Sequence, residues 1–167
     1  MTPPLPRRNL PLLLLQTRED VIARFRPILH AHGVTEQQWR VLRALAEDAP
    51  QPLEPRQLGA ACTISSPSLT GVLARMDELD LVAQRRDGTD ARRVRVTLTA
   101  RGRALVRRIA PRIEREYQAL EVAIGADVLR DAYALLDRLR GELRAAAAIP
   151  GTPAVPILRS RDRPKRR

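Results

Sequence analysis

Apolar residues recur along this chain at helical spacing in five stretches and at strand spacing in one short stretch near the middle. Leu12, Leu15, Val21, Ile22, Phe25, Ile28 and Leu29 share one face of an opening helix, and Leu10, Leu13 and Leu14 give it a second apolar surface. Asn9 caps that helix and places Pro11 in its first turn, where a missing N–H is harmless. Pro27 is expected to kink it or end its regular part, and Gly33 to stop it. Thr35 and Gln38 have capping-box spacing and open a second helix with Trp39, Leu42, Leu45 and Ala46 on one side, ended by Ala49-Pro50. Residues 50–55, PQPLEP, read as a stiff connector, and Pro55 starts a short helix ending near Cys62. Ser65 then caps a helix whose buried stripe is Leu69, Val72, Leu73, Met76 and Leu79. Two helices joined by the turn 62–64 form a helix-turn-helix pattern.

After Leu81 the period falls to two. Val94, Val96 and Leu98 alternate with Arg93, Arg95 and Thr97, a half-buried strand that residues 81–85 can pair with across the reversal Asp87-Gly88-Thr89-Asp90. A hairpin this small cannot stand alone and must lean on the helices. Thr99-Ala100-Arg101-Gly102 leads into a long helix carrying Leu105, Ile109, Ile113, Tyr117, Leu120 and Ile124, continuous across Pro111. Gly125 breaks it, and Val128, Leu129, Ala132, Leu135, Leu136, Leu139 and Leu143 mark a last helix that fades into alanines before Pro150.

With 167 residues the simplest organisation is one domain over 9–149, flanked by a disordered arm at 1–8 and a disordered basic tail at 150–167. Aromatics are only 2% against 44% hydrophobic residues, which favours a Leu/Ala helical core. The net charge of +11 is concentrated at the ends, since the tail alone carries six basic residues and one acidic. A basic balance points to a polyanionic partner, nucleic acid first and anionic lipid second. The run LPLLLL at 10–15 is too short to span a membrane and lacks a cleavage site, so no targeting segment and no membrane association are expected.

A single cysteine, Cys62, excludes an intramolecular disulfide and fits a reducing, cytoplasmic setting. It reads as a buried small residue rather than a redox sensor. His30 and His32 at a helix end, without clustered carboxylates, do not make a metal site. No Ser/His/Asp set and no phosphate-cradling glycine loop supports an enzyme, and no cofactor is expected.

Laid end to end, TEQQWRVLRAL at 35–45, Leu58 with ISSPSLTGVLARMDELDLV at 64–82, and the passage DGTDARRVRVTLTARG at 87–102 resemble the MarR family of bacterial regulators. The resemblance covers residues 10–148. LLLQTRE at 13–19, FRPIL at 25–29, TEQQWR at 35–40 and PSLTGVL at 67–73 are similar to the subgroup that regulates homoprotocatechuate breakdown. It implies a mainly α fold with a small β-hairpin wing: a winged helix-turn-helix at 35–99 held by dimerisation helices at 9–32 and 100–149. The implied activity is that of a homodimeric repressor on a pseudo-palindromic double-stranded DNA operator, associated with the nucleoid and released by a small phenolic or aromatic acid. Two alternatives stand beside it: a regulator of the same type with another ligand or none, and a non-specific basic nucleic-acid binder.

Physics and resemblance agree on the DNA-reading residues. The N-terminal part of the second helix of a helix-turn-helix enters the major groove. Ser65, Ser66, Ser68, Thr70 and Gly71 lie there, away from the apolar stripe, with Arg75 one turn on. The family often has arginine where Ser66 and Gly71 stand, so direct base readout by this helix is modest. Asp80 replaces the usual glycine at the helix end, and Asp tolerates the left-handed conformation. The wing carries Arg85, Arg86, Arg92, Arg93 and Arg95 against Asp87 and Asp90, of which Arg86, Asp90, Arg92 and Arg93 are the candidate DNA-binding residues, and Asp90 and Arg92 match a family motif in which the acid braces the tip and the arginine enters the minor groove. For a carboxylate and a ring, Arg18, Trp39, Arg40 and Arg43 offer cations and an apolar wall. Leu12, Leu13 and Leu15, with Leu129, Leu135, Leu136, Leu139 and Leu143, are the candidate dimer surface.

Overall fold

A computed structural model describes residues 8–47, 51–86 and 93–147. Residues 1–7, residues 48–50 with the expected helix stop at Ala49-Pro50, residues 87–92 with Asp90 and Arg92, and residues 148–167 lie outside the described residues. Eight elements follow in order: α1 (Leu10–His30), α2 (Glu36–Glu47), α3 (Pro55–Cys62), α4 (Ser66–Glu78), β1 (Val82–Arg86), β2 (Val94–Leu98), α5 (Ala100–Ile124) and α6 (Ala126–Ala147). They divide into two compact units that meet within α5, one ending at Ala119 and the other starting at Leu120.

The first unit owns the hydrophobic core. Only the C-terminal half of α1 reaches it, through Phe25 and Leu29. Val41, Leu42 and Leu45 of α2, Leu58 and Cys62 of α3, Leu69, Leu73 and Met76 of α4, and Leu105, Ile109 and Ile113 of α5 complete it with Val82, Val96 and Leu98 of the hairpin. Leu42 and Leu58 are fully buried, and each contributes about 1.5–3 kcal/mol by leaving water. β1 and β2 are antiparallel with Val82 opposite Leu98 and Arg86 opposite Val94.

Two of the expected caps form. Asn9 Oδ1 accepts the Leu12 N–H at 3.0 Å, the Thr35 N–H donates to Gln38 Oε1 at 3.0 Å, and the Gln38 N–H donates to Thr35 Oγ1 at 3.2 Å. Asp80 takes the left-handed conformation, φ 55°, and its carbonyl accepts the Thr99 hydroxyl at 2.6 Å. There α5 starts so close to Leu81 that a Cβ on Gly102 would sit 2.0 Å from the Leu81 carbonyl oxygen.

Three expectations change. Of the two readings at Pro27, an end to the helix is excluded, since α1 runs through it to His30; the proline costs one N–H, and its own carbonyl still accepts from Ala31 at 3.0 Å. Ser65 occupies the N-cap position of α4 without a capping bond from its side chain. Pro67 removes one acceptor-seeking N–H from the first turn, and the Ser65 hydroxyl donates to Ser68 Oγ at 3.0 Å instead. The 50–55 segment is more than a connector, because Leu53 bridges Val96 by two hydrogen bonds, at 3.1 and 2.8 Å, and so adds a strand residue beside β2.

The second unit contains the end of α5, Gly125 at φ 92° and α6. No residue of α6 is buried. Val128, Leu135, Leu136 and Leu143 are exposed, and Leu129 and Leu139 are half-buried. Among the described residues no helix is long and apolar enough to cross a membrane.

Candidate nucleic-acid interface and ligand cavity

The turn between α3 and α4 positions the first candidate surface. Thr63 adopts the left-handed conformation, φ 51°. The Ile64 N–H then returns to the Gly59 carbonyl at 2.9 Å, and Ile64 itself is buried. Burying Ile64, Leu69, Leu73 and Met76 turns the opposite face of α4 outward, so Ser65, Ser66, Ser68, Thr70, Gly71 and Arg75 are all exposed. The Thr70 hydroxyl bonds back to the Ser66 carbonyl at 3.0 Å, and Arg75 pairs with Glu78 at 2.8 Å. Around Gly71 the space for a Cβ is open, so nothing within the chain requires a glycine there.

The hairpin brings Arg86 to the exposed end of β1. Arg93 and Arg95 both lie near Glu54, at 3.8 and 3.6 Å. Glu54 is a residue that sequence reasoning missed. Its signal was an acid beside Leu53 and Pro55, concealed because the segment read as a spacer.

The second candidate site is a cavity of about 170 Å³ in the first unit. Trp39, Arg40 and Arg43 of α2 form one wall, Phe25 and Ile22 of α1 another, and Ile113 and Tyr117 of α5 a third. Phe25 and Tyr117 are in ring contact, 4.7 Å between centroids at 49°. A neighbouring hollow of about 280 Å³ shares Trp39, Arg43 and Tyr117 and adds Glu47 and Glu114. Tyr117 and Phe25 were legible in sequence only as core positions.

The four candidate ligand residues separate here. Arg43 holds Glu47 at 2.6 Å, a hydrogen bond that raises its already high pKa. Arg40 donates from Nη1 to the Cys62 carbonyl at 2.7 Å, while its Nε, although buried, has no partner. Trp39 is half-buried and packs against the core. Arg18 lines neither hollow. It pairs with Glu36 at 2.7 Å and with its neighbour Glu19. Arg26 pairs with the same two acids. These four residues tie α1 to the start of α2. The hydrogen bond from Arg26 holds the Glu19 carboxyl below its ordinary range. At Glu36 burial opposes the charge, but hydrogen bonds from Arg26 and Arg18 outweigh it and the carboxyl is again lowered.

Cys62 is buried. Burial pushes its thiol pKa up, only partly offset by the Arg40 charge, so the thiolate needed for redox chemistry is disfavoured. The His32 ring bonds the Ile28 carbonyl through Nδ1 at 2.8 Å. Among the described residues no group of three or more His, Cys, Asp or Glu side chains is placed to hold a metal ion.

With this geometry in view, comparison with known proteins gives a consistent picture. The family model described as MarR family matches residues 32–93, from just after α1 to just before β2. The homoprotocatechuate degradative operon repressor of Escherichia coli is 37% identical over 129 residues, covering 77% of this chain and 86% of the relative. Among solved structures, the transcriptional regulator PA4135 superposes with a TM-score of 0.76 at 38% identity, covering 81% of this chain and 98% of that one. NadR in complex with 4-hydroxyphenylacetate gives a TM-score of 0.69 at 36% identity, covering 86% of this chain and 97% of that one.

Proposed function

The chain belongs to the MarR family of transcriptional regulators, and from that premise we propose that it is a homodimeric repressor released from its operator by a small aromatic acid. The exposed hydroxyls of α4 enter the major groove. Arg86, Arg93 and, by its place in the sequence, Arg92 reach the adjacent minor groove, where a narrow A·T-rich stretch attracts arginine. The exposed leucines of α1 and α6 pair two copies, so that the half-sites lie about 34–36 Å apart or at a multiple of that. Such a protein works in the cytoplasm, at the nucleoid.

The observation that carries the ligand reading is the cavity itself: aromatic and aliphatic walls with the guanidiniums of Arg40 and Arg43 on one side, the chemistry that suits a ring bearing a carboxylate. Two relatives point the same way, one a repressor of homoprotocatechuate degradation and one a protein in complex with 4-hydroxyphenylacetate. Control of an aromatic catabolic operon is therefore the preferred role.

A titration separates this reading from its rivals. Fluorescence anisotropy of a labelled promoter fragment is followed in rising salt, against bulk DNA, with and without 4-hydroxyphenylacetate. The fragment is expected to stay bound after bulk DNA has gone, and to be released by the acid. Loss of all sequences together identifies a non-specific basic binder instead. Specific binding indifferent to aromatic acids identifies a regulator with another signal or none.

A further inference from the structure

We infer that Arg40 is a mechanical link between the cavity and the turn that sets α4: one edge of its guanidinium takes the carboxylate of the ligand while Nη1 holds the Cys62 carbonyl. The inference rests on the reading of the cavity as an aromatic-acid site. Carbonyls in the last turn of a helix have no intrahelical partner and must be satisfied from outside. For the last residue of α3 that outside donor is Arg40, reaching across from α2 at 2.7 Å. The next residue, Thr63, is the left-handed corner of the turn, and two residues further Ser65 is the N-cap of α4. The contact therefore lies within one short turn of the hydroxyl face proposed to read DNA.

The other edge of the same guanidinium is unfinished. Arg40 Nε is buried without a hydrogen-bond partner, while the side chain lines the cavity. A buried donor without a partner is unfavourable, and a carboxylate would relieve it. A guanidinium is planar and rigid, with Nε and Nη2 along one edge and Nη1 at the far side, so a two-pronged carboxylate on the first edge leaves Nη1 free to keep its carbonyl. The bonds to the carboxylate join two ionised partners and are two in number, whereas the Cys62 carbonyl accepts one bond and carries no charge. The ligand thus sets the plane, and the Cys62 carbonyl and the turn follow it. Arg43 lines the same cavity but is held by Glu47 on its own helix, so it can bind a ligand without moving the turn.

The test uses the full chain with 4-hydroxyphenylacetate as probe. Trp39 is the only tryptophan and lines the cavity, so its fluorescence reports occupancy. Operator affinity is measured with and without saturating probe, and the ratio is the coupling between the two sites. In Arg40→Lys an ammonium can serve the carboxylate or the carbonyl but cannot span both. The expected result is a Trp39 response that needs more probe to saturate, because the two-pronged contact is gone, with the ratio measured at saturation falling from roughly the 5–150-fold typical of such coupling to near unity. An unchanged ratio in Arg40→Lys overturns the link and leaves the cavity reading standing. Hydrogen exchange in the unmodified protein decides the matter if that variant does not fold: probe binding must alter protection at the Thr63, Ile64 and Ser65 amides. Unaltered protection at full occupancy overturns the link. If Trp39 never responds to the probe, the cavity reading falls and the link falls with it.

Discussion

Gly71 sits in the middle of α4, exposed and with open space where a side chain would begin. An alanine there should favour the helix by about 1 kcal/mol, so the glycine is retained against local stability. Gly71→Ala is expected to raise the free energy of unfolding, measured by denaturant titration, by about 0.5–1 kcal/mol while weakening operator binding. A variant that is more stable and binds DNA equally well would remove the case for close backbone approach at this point. Gly102 is the opposite kind of glycine, since the Leu81 carbonyl leaves no room for a Cβ. Sequence spacing alone could not tell the two apart. The arginines show the same limit. Arg18, Arg40 and Arg43 were legible as cations that suit a carboxylate; Arg43 is held by Glu47 on its own helix, but Arg18 and Arg40 find partners through contacts between elements. Arg18 meets Glu36 from 18 positions away, and Arg40 meets Cys62 from 22 positions away.

At the scale of elements, the ion-pair network between α1 and α2 gives stability a definite pH dependence. Glu19 and Glu36 are both lowered in the fold, so their contribution is present above the unfolded carboxylate pKa, about 4.3, and is lost as pH falls through the lower folded value. Glu36→Gln should therefore be less stable than the parent near neutral pH, with the difference closing below about pH 4 as both carboxylates protonate. Unfolding curves across pH check this, and a difference that persisted in acid would exclude the ion pairs as its cause. Element existence and type were readable from period and caps because those signals are local: the Thr35–Gln38 box and the Val94–Leu98 alternation needed no knowledge of the rest of the chain. The two misread segments depended on distant partners or on tolerance. Leu53 becomes a strand residue only because Val96 lies opposite it. Pro27 stays helical although it gives up the bond to the carbonyl four residues back, in a turn whose Leu29 is buried in the core.

For the whole molecule, the conspicuous surplus is apolar surface without cover. α6 buries nothing, and Leu135 and Leu143 are more than half exposed, as is Leu15 on α1. A chain that keeps so much leucine in water is expected to pair. Leu136→Glu should halve the mass seen by light scattering and reduce operator affinity, while far-ultraviolet circular dichroism stays the same. A dimer that persisted would move the interface elsewhere. The wing carries a separate lesson about what the free protein looks like to DNA. Glu54 stands beside Arg93 and Arg95 as a resident anion, so a phosphate arriving at these arginines displaces one negative charge and takes its place. Binding at the wing is then partly an exchange of anions rather than a simple neutralisation. Its salt dependence should be shallower than a count of arginines suggests, and the operator competes with the protein's own carboxylate before it competes with the solution.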